Sequence, residues 1–320
     1  MPAFVLHNIS VINFVLINIA LGLSIYITLS TGLLSLANAG FMAIGAYTAA
    51  ILIVHAGQPL GLGMLLGMLL AALLAVPLGV LVLRLRDVYL AIATIGFGEI
   101  VRIMALNGDK VVRAVTGDAS ATLFNGAEGI TLPYSAPRLI AGLPHTTWPI
   151  LLYVVVVTYG LATLQRSRYG RILAAIRLDE AAAGTLGINV VRYKLLAFTL
   201  GAVIAAGAGA LSTPIVRVID PRNYVFSRAV DILAFAVLGG MTHWIGPIVG
   251  ATVLTALPEV LRGLQERRDI VNGLIIMLAI IYLPRGLADP HFWRRWWPRR
   301  APQPLRPAPA RDELSEQVRR

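Results

Sequence analysis

Residues 59–83 read PLGLGMLLGMLLAALLAVPLGVLVL, a run of 25 residues without a charged side chain. A helix needs about 20 apolar residues to cross the hydrocarbon core of a bilayer, so this run predicts a transmembrane helix. Small residues recur in it at every fourth position: Gly63, Gly67, Ala71, Ala75 and Gly79. Such a stripe lets helix backbones approach one another closely in lipid. The stretch therefore predicts a helix packed inside a membrane bundle.

The composition of the whole chain supports the same fold class. Of its 320 residues, 57% are hydrophobic and 13% are charged, and the mean hydropathy is +0.76. Soluble domains carry about 25% charged residues, so the composition excludes a cytosolic enzyme, a nucleic-acid-binding domain and a disordered chain. The apolar runs predict an all-α, polytopic integral membrane helix bundle of roughly nine spans, with a range of about eight to ten.

The predicted spans follow one another along most of the chain. They lie at 9–29, 32–54, 59–83, 88–107, 147–165, 195–216, 229–242, 244–262 and 270–288. The seventh is short and ends at glycine, which makes a broken or re-entrant helix an alternative to a full span there.

The distribution of basic residues predicts the orientation of these spans. The formal net charge is +11, and 17 of the 27 Lys and Arg residues lie in the 84–87 turn, the 166–194 loop and the chain from residue 285 onward. Basic residues collect on cytoplasmic loops. We therefore expect the N-terminus outside, the C-terminus in the cytoplasm, 166–194 as a cytoplasmic loop and 108–146 as an outer loop.

The chain divides into a transmembrane domain, residues 1–290, and a tail, residues 291–320. The tail begins with His291-Phe-Trp-Arg-Arg-Trp-Trp-Pro-Arg-Arg300, and this mixture of Trp and Arg favours binding to anionic lipid headgroups. The residues after it are rich in Pro, Ala and Arg, a composition typical of disordered segments. Membrane lipids are therefore the predicted partner of the tail.

Motifs for cofactor, metal or catalytic chemistry are missing from the sequence. The chain has no cysteine, and its five histidines are scattered without a His-x-x-x-His pair, so metal sites of the common spacings are excluded. A phosphate-binding loop needs Gly-x-x-x-x-Gly-Lys-Ser/Thr, and neither Lys110 nor Lys194 fits it. We expect no catalytic residue and no cofactor bound by this chain, so ATP-driven work would need a partner that supplies hydrolysis.

Charged side chains inside a predicted span are the first candidates for function, because charges in lipid usually face a cavity or a partner. Glu99 and Arg102 lie in the fourth span with i,i+3 spacing, which places both on one helix face. Two interpretations stay open: a self-contained structural ion pair, or part of a translocation path or gate.

The predicted cytoplasmic loop reads as two short helices. Asp179 is a suitable N-cap for the second, which places Glu180 at its positive end, and Gly187 is a suitable stop. Ile172, Ile176 and Leu186 offer apolar side chains beside basic ones. This composition is equally typical of an amphipathic helix at the membrane surface and of a docking element for a cytoplasmic partner.

Four stretches, in order along most of the chain, carry a family resemblance. They are RLRDVYLAIATIGFGEIVR at 84–102, the loop 170–189 with RYKLLAF at 192–198, ILAFAVLGGM at 232–241 with IGP at 245–247, and PRGL at 284–287. With these stretches the chain resembles the permease subunit of the branched-chain amino acid ABC transporters.

The resemblance implies a set of partners and a role for the cytoplasmic loop. In that family two permease subunits form the pathway, two cytoplasmic ATP-binding subunits that use ATP and magnesium dock on a Glu-Ala-Ala loop, and a periplasmic or lipid-anchored protein delivers substrate. The family places a glycine at the position of Leu186, one residue before Gly187. The residues implied for the coupling loop are Gly170, Arg171, Arg177, Asp179, Glu180, Ala181, Ala182 and Gly187.

The expected function is therefore a multi-pass permease subunit in a bacterial inner membrane, with the outer loop as a contact surface for the binding protein. Within the same transporter class, import of urea, short amides or other amino acids is the alternative. From a different class, the alternative is an ion-coupled secondary carrier that works alone. An intramembrane enzyme lacks a catalytic constellation in this sequence.

Overall fold

The computed structural model describes residues 3–85, 87–117, 122–133, 139–140, 143–241, 243–260 and 277, and these residues are mostly helical. The helices are α1 (Ala3–Leu29), α2 (Asn38–Ala56), α3 (Leu60–Val82), α4 (Asp87–Thr116), α5 (Thr147–Arg166), α6 (Arg168–Leu178), α7 (Glu180–Thr185), α8 (Val190–Val216), α9 (Phe226–Gly239) and α10 (Ile245–Val260). Two-residue strands β1 (Ile130–Thr131), β2 (Leu139–Ile140), β3 (Leu143–Pro144) and β4 (Val218–Ile219) lie in the connections, and a 3-10 turn covers Pro221–Tyr224.

Six of these helices are long and apolar enough to cross a membrane: α1, α2, α3, α4, α5 and α8. The prediction of an all-α polytopic membrane protein is confirmed, and the first six predicted spans correspond to these helices. The prediction of nine spans is not confirmed. The ninth, at 270–288, lies outside the described residues apart from Met277, and the tail at 291–320 lies outside them entirely.

The seventh and eighth predicted spans correspond to α9 and α10, which have 14 and 16 residues. At 1.5 Å per residue α9 is about 21 Å long, shorter than the roughly 30 Å core of a bilayer. Close backbone contacts pair them, because a Cβ on Gly239 would collide with Gly246 and a Cβ on Gly250 would collide with Phe235. The short length of α9 agrees with the broken or re-entrant alternative for the seventh span, and α9 and α10 form an antiparallel hairpin.

The buried face of α3 is the stripe of small residues predicted from the sequence. Its buried residues are Gly63, Gly67, Ala71, Ala75, Gly79 and Val82. A Cβ on Gly63 would lie 2.9 Å from Ala49 Cα, and one on Gly67 would lie 3.1 Å from Gly45 Cα, both on α2. The leucines on the opposite side of α3 are exposed, as expected for a face toward lipid. The stripe therefore sets the close antiparallel contact between α2 and α3.

Helix α8 lies in the core, packed against α1, α2 and α3. Phe198 of α8 contacts Phe41 of α2 edge-on, with ring centroids 5.8 Å apart, and Phe41 lies 4.9 Å from Phe97 of α4. Glycines permit the backbone approach: a Cβ on Gly209 would collide with the carbonyl oxygen of Met42, and one on Gly45 with that of Ala206.

This packing predicts a large effect of added volume at Gly209. Leucine there must push α2 and α8 apart, and overpacking of this kind destabilises a core by about 1–3 kcal/mol or more. Leucine at Gly160 of α5 is the matched control, since no atom lies within 4 Å of a Cβ built there. Thermal unfolding in detergent should show a lower midpoint for Gly209→Leu than for Gly160→Leu. Equal midpoints would argue against this contact.

Residues 30–37, between α1 and α2, are irregular and largely buried. The sequence predicted a span from residue 32, but α2 begins at Asn38 because the preceding segment makes other hydrogen bonds. Gly32 has a positive φ of 78°, and the Leu36 amide donates to Thr94 Oγ1 of α4 at 3.0 Å. Buried irregular backbone needs such partners within the protein. The first crossing is thus followed by a buried break in helical structure.

Helix α8 runs from one end of the bundle to the other and so defines both ends. Its first residue follows α7, and its last precedes β4. We call these the α6–α7 end and the strand end. At the strand end β1 pairs with β4, with Ile130 opposite Ile219. The outer loop predicted at 108–146 starts later than expected, because α4 continues to Thr116.

Candidate functional site

Helices α6 and α7 form the element that the sequence predicted between 166 and 194. Helix α6 begins after Ser167, whose Oγ accepts a hydrogen bond from the Gly170 amide at 3.4 Å. Gly170 allows α6 to turn sharply back on α5, because a Cβ there would collide with the carbonyl oxygen of Leu164. Leu173 and Ile176 of α6 are buried, with exposed fractions of 4% and 1%. The helix is therefore anchored to the bundle by one face.

The cap and the stop predicted for α7 are both confirmed. Asp179 Oδ1 accepts hydrogen bonds from the amides of Ala181 at 2.8 Å and Ala182 at 3.0 Å. At the other end Gly187 has a φ of 81°, its amide donates to Gly184 at 3.0 Å, and the Ile188 amide donates to Ala183 at 3.2 Å. This is the hydrogen-bond pattern of a Schellman C-cap. Asp179 and Gly187 therefore fix the start and the end of α7.

Glu180 forms an ion pair with Lys194 in the first turns of α8. The Lys194 side chain is 10% exposed, whereas that of Glu180 is 56% exposed. An ammonium group buried to this extent needs a counter-ion. Glu180 thus attaches α7 to the N-terminal part of α8. The sequence does not predict this contact, because residues 180 and 194 lie on different helices.

Two leucines beside α7 are the most exposed large apolar side chains in the described part of the chain. Leu178 is 88% exposed and Leu186 is 79% exposed. The sequence grouped Ile172, Ile176 and Leu186 as one apolar surface, but Ile176 points inward and Leu186 outward, so they do not share a face. Exposed arginines also lie on α6 and at the start of α8: Arg168, Arg171, Arg177 and Arg192.

The arginines that the resemblance assigned to this loop have different surroundings. Arg171 donates to the Arg166 carbonyl at 3.5 Å, a contact within its own segment. Arg177 donates to the carbonyl of Met241 at 2.8 Å, in the turn between α9 and α10. Residues Ala181 and Ala182 are exposed. The predicted coupling residues therefore lie on one element, and two of them, Arg177 and Glu180, contact parts of the chain beyond it.

Glu99 and Arg102 lie near the middle of α4 and are hydrogen-bonded to each other. Arg102 Nε donates to the two carboxylate oxygens at 3.0 and 2.9 Å, and a second guanidinium nitrogen also contacts the carboxylate. Their side chains are 24% exposed for Arg102 and 44% exposed for Glu99. The predicted ion pair is confirmed, and it occupies a partly exposed face of the helix on a different element from α6 and α7.

A polar cluster that the sequence analysis missed joins α1 to the hairpin. Arg228 donates to Asn18 Oδ1 at 2.7 Å, and Asn18 Nδ2 donates to Thr255 Oγ1 at 2.9 Å. Asn18 is close to the middle of the apolar segment Ile9–Leu29, so the cluster lies at membrane depth. The sequence carries a signal for this cluster, because Asn18 is an amide side chain inside a predicted span.

At the strand end, the described segment from residue 122 to 132 contacts α4 and β4. Asp109 of α4 accepts hydrogen bonds from the amides of Leu123 and Phe124, both at 2.7 Å. The Tyr47 ring lies 6.0 Å from that of Phe124 and 6.1 Å from that of Tyr224. Burial raises the pKa of the Tyr224 hydroxyl above its ordinary range.

The arrangement suits docking and transmission of movement. Among the described residues, no three His, Cys, Asp or Glu side chains lie together as metal ligands would. The α6–α7 element presents apolar and basic side chains at one end, while its anchors reach α8 and the hairpin turn. A partner bound to this element would therefore contact parts that continue into the membrane bundle.

Comparison with known proteins gives a consistent result. The family described as "Branched-chain amino acid transport system / permease component" matches residues 8–283. The high-affinity branched-chain amino acid transport system permease protein LivM of Escherichia coli is 35% identical over 297 residues, covering 88% of this chain and 69% of LivM. LivM of Salmonella typhimurium is 34% identical over the same lengths. LivH, another permease protein of the E. coli system, is 32% identical over 149 residues, covering 44% of this chain and 47% of LivH. No solved structure gives a significant match.

Proposed function

The chain belongs to the permease family of the branched-chain amino acid transport systems, and we propose that it is the membrane-spanning permease subunit of an ATP-driven importer for branched-chain amino acids. The observation that carries this proposal is similarity to LivM along 88% of the chain, which includes the α6–α7 element. Six helices long enough to span a bilayer agree with a multi-pass membrane location. The relatives are permease proteins, so the chain itself is a transport component.

The cytoplasmic ATP-binding subunits, in this proposal, dock on the α6–α7 element. If the element lies outside the bilayer, Leu186 and Leu178, which are 79% and 88% exposed, face water. Burying one leucine at an interface contributes about 1.5–3 kcal/mol to binding. Three exposed arginines of the same region, Arg168, Arg171 and Arg192, favour an acidic docking surface on the partner. ATP and magnesium belong to those subunits, because this sequence has no phosphate-binding loop.

Leu186→Glu should weaken this docking strongly. The change removes apolar contact and places a carboxylate where desolvation is expected, so we predict at least a tenfold loss of affinity for the ATP-binding subunit, which corresponds to about 1.4 kcal/mol. Leu186→Met is the matched control because it keeps an apolar side chain of similar volume. The measurement is binding of the purified ATP-binding subunit to the permease in nanodiscs, and unchanged affinity for Leu186→Glu would remove this surface from the docking site.

Two further partners follow from the same proposal. A second permease subunit, identical or related, completes the pathway, and the similarity of this chain to both LivM and LivH supports a related one. A periplasmic or lipid-anchored binding protein delivers substrate at the strand end. The folded segment from residue 122 to 132, held by Asp109 and by the β1–β4 pair, offers that protein an ordered surface.

Glu99 and Arg102 belong to the translocation path or its gate in this account. The pair lies near the middle of a spanning helix, and 44% of the Glu99 side chain is exposed in the isolated subunit. Charged side chains at this depth face a partner or a water-filled cavity, because exposure to lipid is costly. A pathway formed between two permease subunits would cover this face of α4.

Purification of the complex in mild detergent, followed by uptake in proteoliposomes, tests the proposed function. An ATP-binding subunit should co-purify, and uptake of leucine should require ATP and the binding protein. Uptake by the purified chain alone, driven by an ion gradient, would instead establish a secondary carrier. Competition of labelled leucine with isoleucine, valine and urea then separates branched-chain amino acids from short amides as substrates.

A further inference from the structure

Arg177 connects three segments that are far apart in the sequence. It lies in the last turn of α6, and its guanidinium donates to the Met241 carbonyl in the α9–α10 turn at 2.8 Å. A Cβ built on Gly32 would lie 3.7 Å from Arg177 Cα, so the buried break after α1 packs against the same residue. The two non-helical turns at the α6–α7 end therefore meet at one arginine.

The hairpin that Arg177 contacts is suited to move as one body. Its two helices touch backbone to backbone through Gly239, Gly246 and Gly250, which leaves little room for them to slide separately. Gly240, at the start of the turn, has a φ of 108° and ends α9. A cation placed just after the C-terminus of a helix is favoured by the helix dipole, so the Arg177 contact has an electrostatic as well as a hydrogen-bonded component.

The other end of the hairpin reaches membrane depth along α1. Gly22 of α1 packs against Pro247 of α10 and Phe235 of α9, and the Arg228–Asn18–Thr255 cluster lies farther along the same helices. A displacement of the turn at Met241 would therefore act on a polar cluster near the middle of the bilayer. Among the described elements, the hairpin packs mainly against α1.

We propose that Arg177 is the positioning residue that transmits movement of the α6–α7 element to the α9–α10 hairpin. This inference rests on the proposed function, since movement of α6 would come from the docked ATP-binding subunit. The docking surface itself is formed by the exposed leucines, and Arg177 acts behind it. Loss of the Arg177 contact should therefore leave docking and ATP hydrolysis in place while uptake fails.

The test measures ATP hydrolysis and leucine uptake together in proteoliposomes that contain the whole complex. Arg177→Gln should keep hydrolysis within about twofold of wild type and lower uptake per ATP at least about tenfold, in the range of mutational effects on coupling. Arg177→Lys, which keeps the positive charge and a hydrogen-bond donor, should retain most of the wild-type uptake per ATP. Arg84→Gln is the control, because it removes the same charge from an exposed position in the turn between α3 and α4, outside the α6–α7 element.

The outcomes separate this inference from the proposed function. Absence of ATP-dependent uptake by the wild-type complex would reject the function. If the wild-type complex takes up leucine, an unchanged uptake per ATP in Arg177→Gln would reject the inference alone. Loss of the co-purifying ATP-binding subunit in this variant would also reject it, because Arg177 would then belong to the docking surface.

If Arg177→Gln fails to fold, a distance measurement in a chain that keeps Arg177 tests the proposal instead. The chain has no cysteine, so spin labels can be placed on cysteines at Ala174 and Ile245, both exposed. If α6 and the hairpin turn move together, the distance between the labels should change by less than about 2 Å between nucleotide-free and ATP-bound complexes, the size of an ordinary helix shift. A larger separation on ATP binding would overturn the proposal.

Discussion

Glu180→Lys is expected to uncouple ATP hydrolysis from uptake, with uptake per ATP at least about tenfold below wild type. The Lys194 side chain, only 10% exposed, has Glu180 as its ion-pair partner. The substitution removes this counter-ion and places a second ammonium group beside a buried one, and breaking a buried pair costs about 3–5 kcal/mol. We expect the lower end of that range, because Glu180 itself is half exposed. Helix α7 would then lose its attachment to the base of α8.

A charge exchange provides the control for this prediction. Glu180→Lys combined with Lys194→Glu restores an ion pair with reversed polarity, so it should recover part of the uptake that the single change loses. Uptake and hydrolysis in reconstituted vesicles are the measurements. Wild-type uptake by Glu180→Lys alone would show that the ion pair has no part in coupling. Failure of the exchange to recover any uptake would assign Glu180 to direct contact with the ATP-binding subunit.

Glu99→Gln is expected to lower uptake at least about tenfold, because it leaves the Arg102 guanidinium without a counter-charge at membrane depth. The carboxylate accepts at least two hydrogen bonds from that guanidinium, and the amide of glutamine offers one neutral oxygen in its place. The measurement is the initial rate of leucine uptake into proteoliposomes, normalised to the amount of assembled complex.

The double variant Glu99→Gln with Arg102→Gln distinguishes the two roles that the sequence left open. If the pair lines the path or forms its gate, removal of both charges should leave uptake low. If the pair only neutralises itself within α4, the double variant has no uncompensated charge and should regain wild-type uptake. Recovery would therefore contradict the proposed role in the path while leaving the function of the subunit intact.

Local features of the fold could be predicted from the sequence because they depend on neighbouring residues. The stripe from Gly63 to Gly79 is the buried face of α3, and the cap at Asp179 and the stop at Gly187 lie where their side-chain chemistry places them. Each depends on spacings of a few residues within one helix. The Glu99–Arg102 pair was predictable for the same reason.

Features that depend on distant contacts could not be predicted in this way. The start of α2 is delayed because Leu36 is hydrogen-bonded to Thr94, and α8 begins five residues before its predicted start with Asn189 as its cap. The attachments of Glu180 to Lys194 and of Arg177 to Met241 join separate helices. An apolar window cannot distinguish a full span from a half-length helix such as α9, so the seventh predicted span has a re-entrant helix as its alternative.

ATP dependence of leucine uptake by the reconstituted complex tests the central claim most directly. The complex contains this chain, its second permease subunit, the ATP-binding subunits and the binding protein, in vesicles without an ion gradient. We expect leucine to accumulate when ATP and magnesium are supplied on the side of the ATP-binding subunits. We expect no accumulation when ATP is replaced by a non-hydrolysable analogue. Accumulation that continues without hydrolysis, or that this chain supports alone under an ion gradient, would contradict the central claim.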